Sequence, residues 1–312
     1  MQMTTRPEPS FFILTPTFNR AARLAVSIES VRNQSYENWQ LFILDDGSQD
    51  ATPELLARFE DDSRIHSWRF ERNQGVNPAR NRLLAEILDR GDPGFVVILD
   101  DDDQLEKDAL TLIAKAARAN PREKWLIANC HLLNGDCVSQ LRDGYRHLCY
   151  VQDHKLGDAL TGDVAHIFHT SIIGENRFIE CFRNSEEWWF YAGLAVKSKM
   201  FALDMHAKTV EYLEDGLTLR QPNKGRGIEI YARKLERFDP FLSLSQRASL
   251  EARLARHLIR GGQFKSGLRQ FWNAFRHWPF EHRIYTYGIE MLVWSLWTSN
   301  QENPECATRK RY

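Results

Sequence analysis

The sequence lacks an excess of charge of either sign, since its formal net charge is -1. That excludes a bulk electrostatic partner such as nucleic acid, so any anion it binds must be held by local groups. Cysteine is sparse: Cys130, Cys137, Cys149, Cys181 and Cys306 are odd in number and nowhere stand at CxxC spacing. Neither a disulfide framework nor a structural zinc site is expected, and a reducing cytoplasm suits the chain best. Also lacking is any apolar run of the ~20 residues that a bilayer crossing needs, and the first ten residues are polar, so neither a secreted nor an integral membrane chain is expected.

What is present is an ordinary globular composition, 312 residues with 43% hydrophobic and 27% charged. That length can bury a sizeable core in one large domain or two smaller ones. The most informative stretch is Phe95–Asp103, FVVILDDDD, an apolar run that leads straight into four aspartates. Such a run suits a strand buried on both faces, and in an open α/β sheet ligands bind where the acids then emerge, at the carboxyl end. Adjacent carboxylates repel, and are tolerable only when solvated, hydrogen-bonded or gathered round a hard cation such as Mg²⁺ or Mn²⁺. A solvated turn before a helix at Lys107–Ala119 is the plainer alternative.

The rest of the first half alternates strand and helix. Phe11–Leu14 reads as a buried strand, Ala21–Arg32 as a helix with Leu24, Ile28 and Val31 on one face, and Trp39–Leu44 as a second strand ending in Asp45-Asp46-Gly47-Ser48. Thr52-Pro53 and Asn77-Pro78 both read as a cap followed by proline at the first helical position. Ile65–Glu71 is expected as a strand and Ala79–Asp89 as a helix. This pattern implies βαβ units and a mainly parallel sheet, with right-handed crossovers bringing Asp46 and the Asp100–Asp103 run to one edge.

Four motifs in this order, PTFNR (Pro16–Arg20), LDDGSQD (Leu44–Asp50), NQGVNPARN (Asn73–Asn81) and LDDDD (Leu99–Asp103), resemble the family 2 glycosyltransferases of the GT-A fold. The resemblance extends over residues 1–220 and is strongest over residues 1–110. It implies an α/β, Rossmann-like, mainly parallel sheet flanked by helices, with a nucleotide-sugar lying across the strand ends. It also implies that Pro16 and Phe18 border the nucleoside base, that Asp46 accepts a hydrogen bond from it, and that Arg80 lies near the nucleotide. Phe18 stands where the family often has tyrosine. Asp100 and Asp102 match the two acids of the family's metal motif, Asp102 as ligand of Mn²⁺ or Mg²⁺ and Asp100 at the ribose or in support. Register among the four acids stays open by one, so Asp101 is an alternative for donor binding and Asp103 for the metal.

Asn184–Phe190, NSEEWWF, resembles the family's acidic pair at a helix start, with Glu187 at the position of the base and Glu186 as the alternative. Asn184 and Glu187 also stand three apart, as in a capping box, and the two roles do not exclude each other. His166 and His169, three apart in an alternating segment, Ala165–Ile173, fall on opposite faces of a strand, which argues against a zinc pair and leaves one of them free to meet acceptor or diphosphate. Asp215–Gly227, with Arg220, Lys224 and Arg226, is either a loop closing over the diphosphate or a solvated linker.

From Ile228 the chain is rich in helix formers, and HLIRGGQFKSGLRQFWNAFRHWP looks like a tetratricopeptide-like hairpin. Tyr285–Trp297 is a short, apolar, aromatic helix; it covers the hairpin, joins a homodimer, or rests with the upstream arginines on a membrane surface. The expected organisation is a transferase domain over 1–225, a helical extension over 226–299 and a disordered tail over 300–312. The resemblance implies an inverting transfer from a nucleotide-sugar, UDP-sugar favoured, to a saccharide or lipid-linked saccharide in a bacterial surface glycan such as lipopolysaccharide or capsule. A scaffold built on a degenerate transferase domain is one alternative. A sugar-nucleotide nucleotidyltransferase is another, although the TPTFNR loop lacks the glycines such an enzyme needs.

Overall fold

The computed structural model describes residues 8–182, 186–211 and 226–288. It divides into two compact units, residues 1–220 and 221–312.

In the first unit the apolar runs become the middle of a mixed sheet. Strands β1 (Phe11–Thr17), β2 (Trp39–Asp45), β3 (Ile65–Arg69) and β4 (Phe95–Ile98) alternate with helices α1 (Ala21–Arg32), α2 (Thr52–Ala57) and α3 (Val76–Asp89). They are followed by β5 (Gln104–Leu105), α4 (Ala109–Ala119), β6 (Trp125–Leu132), β7 (Gln140–Leu141), β8 (His147–Leu148), β9 (Leu160–Thr161), β10 (Val164–His169), α5 (Trp188–Ala195) and β11 (Met200–Val210). The sheet order is β3-β2-β1-β4-β10-β6-β11-β5, with β8 also paired to β11. β3, β2, β1 and β4 run parallel, as do β6 and β11, whereas β10 is antiparallel to both its neighbours. The short β5 and β8 are antiparallel to β11 as well, and the other six strands of this sheet share one direction, which leaves it mainly parallel.

Every residue of β1 is buried, and Phe11, Ile13, Leu24, Ile28, Leu41, Ile43, Val97 and Leu126 belong to one continuous core. Helices on the sheet faces remove these strands from water, which is why they are apolar without alternation.

Two helix starts differ from the expected caps. α2 begins with Thr52 inside the helix and Ala51 at the cap; Asp50 Oδ1 accepts from both the Thr52 amide and its hydroxyl. α3 begins at Val76 after Gly75, and Asn77 lies buried in its first turn. The helix expected over Glu186–Lys199 is shorter, α5 spanning Trp188–Ala195, and β11 follows from Met200.

In the second unit, α6 (Arg226–Phe238) is followed by the antiparallel hairpin of α7 (Leu244–Arg260) and α8 (Phe264–His277). A capping box starts α7: Ser243 Oγ accepts from the Gln246 amide and Gln246 Oε1 accepts from the Ser243 amide. Residues 282–288 are helical. Of the expected loop Asp215–Gly227, Arg226 and Gly227 instead open α6; residues 215–225, the remainder of the last helix and the tail lie outside the described residues.

Candidate active site

Parallel pairing carries the carboxyl ends of β1, β2 and β4 to one edge, with Thr17 beside Asp45 and Leu14 beside Ile98. There the Asp46 amide donates to Thr17 O at 2.8 Å, and Thr17 Oγ1 donates to Asp101 Oδ2 at 2.7 Å. The two acid clusters therefore meet across a single threonine, a residue the sequence did not mark.

Asp46 is almost fully buried, and its two oxygens accept from the Gln74 and Gly75 amides at 2.7 and 2.8 Å. Burial raises its pKa, and these two donors act against the rise. Next to it, Gly47 has φ +77°, and a Cβ there would lie 2.8 Å from the Arg72 backbone, so the DDGS turn can pass the 72–75 loop only as glycine. Pro16 is buried in β1, whereas Phe18 is 39% exposed and available to a planar ligand.

Each acid of the run has its own cationic or hydroxyl partner. Asp100 Oδ1 accepts from Arg80 Nη2 at 2.7 Å, Asp102 and Asp101 both pair with Arg20, and Asp103 Oδ2 accepts from Lys208 Nζ at 2.6 Å. Desolvation pushes Asp101 up to about 7 and also raises Asp103, a shift that Lys208 opposes. Asp100 behaves differently: burial acts to raise it, but Arg80 and then Lys208 outweigh burial and hold it below the usual carboxylate value. The side chains of Asp100 and Asp102 keep 38% and 18% of their surface exposed, against 9% for both Asp101 and Asp103. The run is thus ion-paired rather than a freely solvated turn, and its first and third acids are the more exposed.

Arg80 is 1% exposed. Its Nη1 lies 2.7 Å from Glu187 Oε1, its Nη2 reaches Asp100, and its guanidinium stands 5.5 Å over the Phe178 ring. Burial disfavours the charge, but Asp100 and Glu187 more than compensate and raise its pKa. The flanking asparagines of NPARN hold the frame: Asn77 donates to Ile179 O, and Asn81 both donates to Phe178 O and accepts from the Phe178 amide. α3 thus anchors the 178–180 segment that leads toward Glu187.

Glu187 occupies the cap position of α5 without a capping bond and turns instead to Arg80. Since the helix starts at Trp188, Glu187 is not in its third position as a capping box with Asn184 requires; Asn184 itself lies outside the described residues. Glu186, at φ +30°, accepts from Trp188 Nε1. The paired glutamates therefore face different partners, and Glu187, with 33% of its side chain exposed, belongs to the strand-end cluster.

His166 is buried among aromatics, accepts from Trp125 Nε1 at 3.2 Å, and lies 3.9 Å from Tyr191 between ring centroids. His169 packs on Phe95 and accepts from the Ser171 amide. Neither approaches the strand-end acids by any of these contacts.

A hard divalent ion would fit the donor chemistry of this edge. Among the described residues no group of three or more metal-ligating side chains forms a closed cage. Ions of the Mg²⁺ type are held through one or two carboxylates, the remaining ligands being phosphate and water, and partly exposed Asp102 and Asp100 can supply the protein's share. In the structure Arg20 neutralises Asp102.

The chain was compared with known proteins. Residues 12–124 match the model of the family described as glycosyl transferase family 2. A Bacillus subtilis (strain 168) glycosyltransferase assigned to teichuronic acid biosynthesis, TuaG, is 36% identical over 107 residues, covering 34% of this chain and 41% of its own. The GalNAc(5)-diNAcBac-PP-undecaprenol beta-1,3-glucosyltransferase of Campylobacter jejuni (serotype O:2) is 28% identical over 183 residues, 57% of each chain. The matched segments thus span about half the length of these relatives. The crystal structure of S. aureus TarS 1-349 in complex with UDP-GlcNAc superposes with a TM-score of 0.66 at 16% identity, covering 90% of this chain and 89% of that one, which shows the shared fold.

Proposed function

We propose that this chain, whose residues 12–124 match glycosyl transferase family 2, is a glycosyltransferase of GT-A fold that moves a sugar from a nucleotide-sugar to a saccharide or lipid-linked saccharide acceptor of a bacterial surface glycan. The observation that carries this reading is the line Asp100–Arg80–Glu187: one buried guanidinium, 2.7 Å from each carboxylate, joins the acid that ends β4 to the acid that opens α5. A donor held at the strand ends and a base for the acceptor are thereby set in one frame.

In this reading Phe18 and Pro16 border the nucleoside base and Asp46 accepts from it. Asp100, or Asp101 beside it, faces the ribose. Asp102, with Asp103 as the alternative, holds Mn²⁺ or Mg²⁺, whose chemistry is to neutralise the charge that the nucleoside diphosphate gains as it leaves. The pairing of Asp103 with buried Lys208 favours Asp102. Glu187 takes the acceptor hydroxyl proton, the acceptor oxygen bonds to the anomeric carbon, and the sugar–phosphate bond breaks on the opposite face, which inverts configuration. The salt bridge of Arg80 fixes where the Glu187 carboxylate stands, and Glu186 is turned away to Trp188. A UDP-sugar is the favoured donor, since the structural neighbour TarS holds UDP-GlcNAc. A surface glycan is the favoured product class because the Bacillus relative is named for teichuronic acid biosynthesis, and a lipid-linked saccharide is a favoured acceptor because the Campylobacter relative is named for an undecaprenol-linked one.

Calorimetric titration of UDP with and without Mn²⁺ tests this site. The expected result is binding that strengthens with Mn²⁺ in the wild-type chain and loses that gain in Asp102→Asn. Binding of UDP that ignores the metal would remove Asp102 and the divalent ion from this account, and no binding at all would remove UDP-sugars as the donor.

A further inference from the structure

We propose that α8 docks this chain on an anionic lipid surface through the exposed strip Leu268, Trp272 and Phe275. At 100° per residue the helix divides into four sectors, one of them the polar Ser266, Gln270, Asn273 and His277. Gly267, Phe271 and Ala274 face inward; Gly267 and Ala274 are buried, and Ala274 joins Ala248, Ala252 and Ile284 in the core of the unit. Next to this sector lie Leu268, 60% exposed, Trp272, 58%, and Phe275, 37%. The strip continues past the helix end with Trp278 at 40% and Phe280 at 80%. Large apolar side chains this far in water, on adjoining turns, form a patch rather than scattered single residues.

Charge identifies the occupant. The next sector round the helix carries Lys265, Arg269 and Arg276, all exposed, and α8 contains no acidic residue. Among the described residues, none of these three cations makes an ion pair. A helix with aromatic and leucine side chains on one face and an uncompensated cationic border is the pattern that lies in a bilayer interface, rings among the upper acyl chains and cations among anionic headgroups. A second copy of the chain would bring a second set of the same three cations to the strip, so charge favours lipid over self-association. No helix of the described residues is long and apolar enough to cross a membrane.

The test is sedimentation of the full chain with phosphatidylcholine vesicles prepared with and without phosphatidylglycerol. The wild-type chain is expected to sediment with the phosphatidylglycerol vesicles and to be released by salt. Lys265→Gln/Arg269→Gln/Arg276→Gln should weaken the association about a hundredfold, at roughly fivefold per cation. Leu268→Ser/Trp272→Ser should abolish it while circular dichroism stays unchanged. If that pair fails to fold, the charge variant decides alone, because its positions face solvent. The proposal is overturned if the wild-type chain ignores phosphatidylglycerol, or if both folded variants bind as it does. It is also overturned if the chain is a dimer that the Ser variant splits, without any vesicle binding.

Discussion

A guanidinium withdrawn from water is stable only with its charge matched, and Arg80 is matched by two acids that belong to different elements. Arg80→Met should therefore cost about 3–5 kcal/mol in urea unfolding, the range for removing one partner of a buried ion pair. Glu187→Gln should lose about 10²–10⁴ in turnover, as for a missing general base. Because the Glu187 side chain is one-third exposed, this variant should stay folded, so comparing unfolding midpoint with turnover separates the two roles. His166 makes a different prediction. Its ring accepts from Trp125 Nε1 and must be neutral, and burial holds its pKa well below the ordinary value. The unfolded chain takes up a proton below about 6.5 that the folded ring refuses, so this stability is complete above that pH and is lost as the pH falls below it. Urea unfolding measured from pH 7.5 down to pH 5 should show a slope of up to about 1.4 kcal/mol per pH unit from such a ring. His166→Asn, which can still accept from Trp125 but does not titrate, should lack this ring's share of the slope, while the raised carboxyls of Asp101 and Asp103, of opposite sign, and the lowered His154 and His169, of the same sign, contribute in both proteins. Arg80, Asp46 and the acid run stood out in the sequence because they sit in short motifs. Lys208 did not: its partner Asp103 lies 105 positions away, and a register shift in β11 buries Ala207 and Lys208 side by side, where alternation would bury only one.

Among the elements, those defined by apolar pattern were legible. β1 and β4 are fully buried strands, β2 is buried except at Gln40, and α1 spans the same Ala21–Arg32 that its periodicity marks. Element starts were less legible, because they depend on residues elsewhere: Asp46 captures the amides of Gln74 and Gly75, so α3 begins at Val76 and Asn77 is released to bind Ile179. The antiparallel course of β10 also left no local mark. In the α7–α8 hairpin, Gly267 is set by close approach, since a Cβ there would fall 2.4 Å from Ile259 Cγ1 and 3.1 Å from Ala255 O. Gly267→Ala gains about 1 kcal/mol of helix propensity, yet overpacking costs about 1–3 kcal/mol. Thermal unfolding should show a net loss, and a rise in melting temperature would mean the helices separate freely there.

For the whole molecule, the first unit gathers Asp46, the Asp100–Asp103 run and Glu187 at one sheet edge, and the second presents an apolar, cationic helix face. Catalysis by the strand-end acids and Glu187 on a nucleotide-sugar is the central claim. Slow hydrolysis, with water in place of the acceptor, tests it without knowledge of the acceptor. The chain should be incubated with UDP-, GDP- and dTDP-sugars, with and without Mn²⁺, and the released nucleoside diphosphate measured. The account predicts release from one nucleotide class, UDP-sugars favoured, that requires the divalent ion and falls by about 10²–10⁴ in Glu187→Gln. Folded wild-type chain that releases nothing from any of these donors with Mn²⁺ or Mg²⁺, or Glu187→Gln that hydrolyses as fast as wild type, would contradict it.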